Sequence, residues 1–394
     1  MPLLALVPHG VAPLAAFAGL CAAGLVAATR PRRLPALLGP ATLLGGLLLC
    51  GALSAVWSID PTRSLILDLR LGGLFLTGLA LAAAAERIAA PWRLALFLFV
   101  GTAIGIVLAG YDLATAGGLT QHLSVRGFRP ARLDQIAIGL AILLLPASAM
   151  LYSRGQPIAG LAGAATAAAG VFLLDDTAAK AALLASLPMA GLVYWRPRAV
   201  ARIAAALCAL FILTAPLSLP RLINIPGLFA ATDSFKGSAG HRLLIWSFTG
   251  DRIAERPLLG WGLDSSRAIP GGNQEARSGQ NWLPLHPHDG ALQVWLELGM
   301  PGAALFALLV GLFWLRFERL PGPRLYTAAV GGSLTAALAP LFAAYGVWQE
   351  WWIGTLALAL FLIAVMARAI VPAAVAAATS VIPPPRRGSR AGGH

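Results

Sequence analysis

The chain has 394 residues, of which 58% are hydrophobic and 11% charged. A soluble domain carries about 25% charged residues, so this composition excludes a water-soluble globule, which could not cover its apolar surface. The net charge of +13 does not point to nucleic acid either, because the basic residues are spread through short loops rather than gathered in a patch.

Apolar runs of roughly 20 residues, the length that crosses a bilayer core, recur along the chain. They are continuous rather than alternating, which excludes a barrel and leaves helices as the spanning elements. The expected fold class is an all-α polytopic membrane protein with 11–12 transmembrane helices and one long helical loop. Eleven spans are predicted, at 11–29, 35–57, 64–85, 91–110, 134–152, 157–174, 177–195, 199–219, 290–315, 325–345 and 351–370. The first has no charged n-region and no cleavage site followed by soluble sequence, so it reads as retained. The stretch "MPLLALVPHGVAP" before it would supply a twelfth. Cys21, Cys50 and Cys208 fall inside apolar runs without paired spacing and read as small apolar residues.

The connections fix an orientation. Those at 30–33, 86–93, 153–156, 196–202 and 316–324, with the tail from Arg368, hold sixteen Lys and Arg against Glu86 and Glu318. Loops rich in Lys and Arg are retained inside, so this set is expected on the cytoplasmic side. The opposite side then receives the connections at 57–63 and 111–133, a corner at 175–176, and one long segment, 220–289. The chain divides accordingly into N-terminal spans (1–219), the long loop (220–289), C-terminal spans (290–370) and a tail (371–394) of disordered composition. Within the loop, "HRLLIWSFTGDRIAER" (241–256) predicts a helix with Leu244, Trp246, Phe248 and Ile253 apolar, stopped by Pro257.

Two constellations carry chemistry. The first is "HPHD" at 286–289, where His286, His288 and Asp289 stand at the mouth of a span. A metal site needs further ligands. The outward side offers only His122 and His241 as other histidines, with no H-E-x-x-H motif or cysteine pair. Proton transfer by His288 is the better-supported reading. Below it, Gln293 and Glu297 form a polar stripe, predicted to face a cavity because polar groups are costly in lipid. The second constellation is basic: Arg126, Arg129 and Arg132 in one loop, Lys180 one turn into its span, Arg70 two turns into another, and Arg242 at the start of the loop helix. Structural roles are open to each, by pairing Arg70 with Asp68, Lys180 with Asp176, or Arg129 or Arg132 with Asp134. Together they crowd cations onto the side that orientation does not require to be basic. Guanidinium forks fit phosphate oxygens, so an anionic, phosphorylated amphiphile is the natural ligand. With no phosphate-binding G-x-x-x-x-G-K-[ST] loop present, a transfer reaction would need an activated, lipid-borne donor.

These residues resemble a known pattern. "GHRLLIWSFTGDRIAERPLLGWG" followed by "HPHDGALQVWLELGMPG" is similar to the O-antigen ligase and Wzy-polymerase superfamily. The match rests on Arg242, Trp246, Pro257 to Gly260, Gly262, His288, Leu292, Gln293, Glu297, Gly299 and Gly302. "WSIDPTRS" after an early span fits the same layout. Asp289 stands where Asn is usual, Lys180 where Arg is usual, and the family has twelve spans.

The resemblance implies a metal-independent, inverting glycosyltransferase without cofactor, in the bacterial inner membrane with its site facing the periplasm. It implies a glycan on undecaprenyl diphosphate as donor, a lipid A-core sugar hydroxyl as acceptor, and contact with membrane lipids. His288 and Arg242 would be catalytic. Arg70, Arg126, Arg129 and Lys180 would bind the diphosphate, and His286, Asp289, Gln293, Glu297 and Trp246 would support them. A polysaccharide polymerase and a protein O-oligosaccharyltransferase fit the same motifs. A transporter or flippase for a lipid-linked anion is the non-enzyme alternative, and it calls for symmetry between halves.

Overall fold

The computed structural model describes residues 10–29, 34–123, 133–318 and 323–380. Fourteen helices account for nearly all of it: α1 (Val11–Thr29), α2 (Leu34–Ser54), α3 (Pro61–Ala84), α4 (Pro91–Ala114), α5 (Thr120–Leu123), α6 (Asp134–Ser153), α7 (Pro157–Leu173), α8 (Thr177–Trp195), α9 (Pro197–Ser218), α10 (Leu228–Phe235), α11 (Gly237–Glu255), α12 (Gly290–Glu318), α13 (Arg324–Leu341) and α14 (Glu350–Ser380). The protein is an all-α polytopic membrane protein. A helix lies on each of the eleven predicted spans. Among the described residues, nine are long and apolar enough to cross a membrane.

The two exceptions have physical reasons. α7 is only 17 residues long. α13 carries Thr, Ser and paired glycines because protein, rather than lipid, surrounds it, with 13 of its 18 residues buried. A Cβ at Gly331 would lie 2.8 Å from Val193, and one at Gly332 would lie 3.0 Å from the Ser186 carbonyl, so these small residues let α8 approach closely. On the other side Ser333 donates to the Ile142 carbonyl of α6 at 2.7 Å. α6 is the best-covered span and forms the centre of the bundle.

Three features differ from expectation. The loop helix starts earlier, at Gly237, and α10 precedes it. A two-stranded antiparallel hairpin, Glu275–Arg277 with Gln280–Asn281, adds the one piece of sheet among the described residues. α14 continues to Ser380, past the predicted end of the span at 370.

The long loop docks on the membrane helices at a break in α12. Gly299 leaves the helix with φ 62° and ψ −159°, and Pro301 follows. Pro301 has no N–H to give the Glu297 carbonyl, and the break takes the Met300 N–H away from Leu296. The motif "PLLGWG" supplies the missing partners. Trp261 N–H donates to Leu296 O and Gly262 N–H to Glu297 O, both at 2.9 Å, while Met300 N–H donates to Pro257 O at 3.0 Å. The connection between α2 and α3 grips the other side of the same strip. Ile59 N–H reaches Trp261 O at 3.3 Å, Ser64 Oγ reaches Leu263 O at 2.6 Å, and Arg63 pairs with Asp264 at 3.0 Å. The backbones are too close for side chains: a Cβ on Gly260 would sit 2.6 Å from Glu297 O, and one on Gly299 2.4 Å from Leu258 O. Both glycines also hold positive φ.

Gly260→Ala and Gly299→Ala are therefore expected to lower the thermal midpoint of the purified protein sharply, whereas Gly311→Ala, with open space around its Cβ position, should leave it nearly unchanged. Thermal unfolding in detergent checks this, and equal midpoints for G260A and G311A would refute the docking role.

Candidate active site

The α12 N-terminus brings the "HPHD" loop against α11 and against the strap between α13 and α14. Trp246, on α11, donates its indole N–H to the Pro287 carbonyl at 3.0 Å and pins the loop. His288 itself holds φ 56°, a left-handed conformation uncommon for a side-chain-bearing residue. That turn aims its N–H at His286 Nδ1, 3.1 Å away. It also brings His288 Nδ1 to 2.7 Å from the Ala344 carbonyl. A carbonyl only accepts, so Nδ1 carries the proton and Nε2 keeps its lone pair. The arrangement makes a neutral imidazole with a free basic nitrogen.

Electrostatics keep it neutral. Burial pulls the His288 pKa below its usual value; the Ala344 bond opposes this, and the positive charge of Arg242 adds to it. His286 is buried and pushed down to about 3, mainly by burial and next by its neighbour His288. The Gln349 side-chain amide nitrogen lies 3.3 Å from its Nε2. A Cβ at Gly346 would come within 3.0 Å of the His286 ring, so the strap needs glycine there.

Arg242 lies one turn into α11 and is half-buried. Burial lowers its pKa, and Asp176 and Tyr345 oppose that shift. Among the described residues no ion pair engages its guanidinium. Asp176 caps α8 through the Ala178 N–H at 2.8 Å and accepts from the Tyr345 hydroxyl at 2.6 Å. The cation is thus balanced by a carboxylate nearby while its fork stays available.

Several predicted roles shift. Gln293 and Glu297 face protein rather than a cavity. Glu297 is completely buried, and its carboxylate accepts from Ser266 Oγ at 2.5 Å, Asp264 N–H at 2.6 Å, Trp348 Nε1 at 2.8 Å and Gln293 Nε2 at 3.0 Å. The Gln293 amide oxygen accepts from Val347 N–H at 2.9 Å. The pair fastens the strap and the "PLLGWG" strip to α12. Asp289 plays a structural part: it caps α12 by accepting from Leu292 N–H at 2.8 Å, while His288 takes the Ala344 carbonyl. Arg70 pairs with Glu350 at 3.0 Å rather than with Asp68. Lys180 lies 4.0 Å from Asp175 rather than pairing with Asp176, which Tyr345 and its own helix occupy. Arg126, Arg129 and Arg132 lie outside the described residues. Among the described residues, no group of three or more His, Cys, Asp or Glu is placed to hold a metal ion.

The sequence reading missed the strap, residues 343–350, "AAYGVWQE". Ala344, Tyr345, Val347, Trp348, Gln349 and Glu350 each bond to a residue of the site or its supports. The available signal was an aromatic and polar cluster just past Pro340, beginning in the last turn of the span predicted to run to 345.

Asp289 generates a stability prediction. Its carboxyl is buried and pushed up to about 7 by desolvation, with backbone N–H bonds opposing. The unfolded chain ionises near pH 4 while the folded protein withholds ionisation until about pH 7, so stability falls as pH rises between those values. Asn caps a helix as well as Asp does. Asp289→Asn is therefore expected to raise the thermal midpoint at pH 8, with the gain shrinking toward pH 4. A variant less stable than its parent at pH 8 would show that the carboxylate is not strained.

Residues 162–307 match the O-antigen ligase family model. A Rickettsia conorii protein named as a candidate polysaccharide ligase is 38% identical over 122 residues, 30% of this chain and 29% of that protein. Proteins of the same description from Rickettsia prowazekii and Rickettsia bellii are 28% identical. They match over 65% and 77% of this chain and 64% and 74% of their own lengths. The chain thus spans under a third of the first relative, and more of the others at lower identity. α11, the His288 loop and the break in α12 all lie inside the segment that matches the O-antigen ligase family model.

Proposed function

We propose that the protein is a glycosyltransferase, an O-antigen ligase. It moves a glycan from undecaprenyl diphosphate onto a lipid A-core sugar hydroxyl at the periplasmic face of the inner membrane. The observation that carries this reading is the 2.7 Å bond from His288 Nδ1 to the Ala344 carbonyl, which leaves Nε2 as a general base beside the Arg242 charge. Nε2 takes the proton of the acceptor hydroxyl as that oxygen bonds to the anomeric carbon. The bond from that carbon to the diphosphate oxygen breaks, and undecaprenyl diphosphate leaves with the electron pair. Attack opposite the leaving group inverts the anomeric centre.

Arg242 meets the charge that grows on the diphosphate, where a fixed cation in a water-poor site is most effective. Lys180 shares its side of the site, and Arg126 and Arg129 are assigned the same task. Arg70 is the weakest member of the set, since Glu350 already holds it. No metal is required, because the arginine and lysine charges answer the diphosphate directly.

His288→Ala is expected to cut transfer about 10²–10⁴-fold, the usual worth of a general base, with membrane expression kept. Arg242→Ala should lose transfer comparably. The assay is transfer of lipid-linked glycan to rough lipopolysaccharide, with the lipopolysaccharide ladder read in cells. A near-normal ladder in a His288→Ala strain would sink the base assignment. A ladder reduced to one attached repeat unit in a deletion strain would point to a polymerase instead. Full activity is expected after exhaustive chelation, and loss restored by one divalent ion would overturn the metal-free reading.

The pH profile has a definite sign. The base works when unprotonated, so the rate rises with pH through the His288 pKa and is flat above it. Because burial depresses that pKa, the acid limb should lie below pH 6.5 and vanish in His288→Ala. A limb above that value would mean that the imidazole is not held neutral.

A further inference from the structure

Bordered by Val347 and Trp348 of the strap, an apolar chamber of about 710 Å³ runs between α2, α3, α12, α13 and α14. Its size falls within the range of about 300–1,000 Å³ typical of small-ligand sites. One end lies at Val347, Trp348 and Trp352, level with the candidate site. From there the walls follow α12 and α14 through the membrane to their distal ends, where Arg316 and Arg368 are the charged residues of the lining. In between, the walls are Leu, Ile, Val, Phe and Ala almost throughout.

The arginine end is built. Gly39 on α2 stands where a Cβ would fall 2.6 Å from an Arg316 guanidinium nitrogen, so the glycine makes room for that group against the helix. Arg368 is exposed at the same level of α14. Two guanidinium groups at the mouth of a hydrocarbon slot match a ligand with a phosphate head and a long apolar chain. Both lie at the membrane face opposite the His288 loop, so the head belongs to that leaflet.

We propose that the chamber is a lipid site, separate from the His288 site. It takes one hydrocarbon chain of an anionic phospholipid, whose phosphate sits at Arg316 and Arg368. The chain reaches toward Trp348, whose indole N–H holds Glu297. The lipid thus fills the wall behind the strap and supports it from within the membrane.

Native mass spectrometry of the full-length protein, delipidated in detergent and titrated with phosphatidylglycerol or phosphatidylcholine, tests this without reference to glycan transfer. One phosphatidylglycerol should be retained in preference to phosphatidylcholine. Surface arginines near anionic lipid are each worth about fivefold in affinity, so Arg316→Gln with Arg368→Gln should weaken phosphatidylglycerol about 30-fold and abolish the preference. Leu334→Trp, which fills the chamber and leaves both arginines, should weaken both lipids. Arg196→Gln with Arg198→Gln, basic residues outside the lining, should change nothing. Thermal midpoints near the parent's identify folded variants, and conservative Arg316→Lys with Arg368→Lys should retain the preference. Equal retention of the two lipids by the parent would overturn the proposal. So would undiminished phosphatidylglycerol binding in the glutamine variant, or a loss in Arg196→Gln with Arg198→Gln as large as that at the chamber.

Discussion

The Glu297 carboxylate is the constraint on which the rest of the site depends. A carboxylate without partners inside a membrane protein costs several kcal/mol or more. Here four donors close around it, from Ser266, Asp264, Trp348 and Gln293. Hydrogen bonds to a charged group are each worth about 1.5–3 kcal/mol net, but the larger effect is the penalty for losing any of them. The donors come from three separate parts of the chain: the strip after "PLLGWG", α12 itself, and the strap. Satisfying one buried acid therefore requires the long loop, the helix and the strap to meet in one register. That register places Ala344 opposite His288.

The chemistry of the site follows from how that assembly treats charge. Burial and the nearby Arg242 both disfavour a second proton on His288. The imidazole is consequently a weaker base than a solvent-exposed one. For a reaction whose leaving group is a diphosphate, that is a favourable exchange, since the developing charge to be met is on phosphate oxygens. In the proposed reaction Arg242 is the countercharge, and Asp176, fixed by Tyr345 and by its own helix cap, lies near enough to moderate it. The base and the cation are thus held by different elements, α12 and α11, joined through the Trp246 bond to Pro287.

Spans and loop helix were legible in the sequence because each leaves a local mark, and His288 and Arg242 stood out as candidates for the same reason. A run of apolar residues, a proline stop or a histidine at a span mouth is visible in a short window. Gln293 and Glu297 were legible as polar residues on one helical face, but their partners were not. A cavity and a protein wall both satisfy a polar stripe, and only the tertiary fold chooses between them. Asp68 and Glu350 illustrate the same limit. The nearby acid looked like the partner of Arg70, whereas the actual partner lies 280 positions away. Glycines 260 and 299 could be recognised as parts of a motif, while the reason for them, two backbones in contact, became visible only when both strands of that contact were in place.

The strap shows where similarity and function part. The family match ends at residue 307, so it contains the histidine, the arginine and the buried glutamate. The carbonyl that sets the histidine tautomer, the tryptophan that holds the glutamate and the amide beside His286 all lie between 344 and 349. A backbone carbonyl can be supplied by any residue type, so Ala344 itself leaves no mark in sequence. What must be preserved is the position of the strap, and that is carried by Trp348, Gly346 and Tyr345, each for a separate physical reason: a donor for a buried acid, room for a ring, and a partner for Asp176. The matched segment thus contains the proposed reactive groups, while the carbonyl that sets the His288 tautomer lies in a part of the chain outside it.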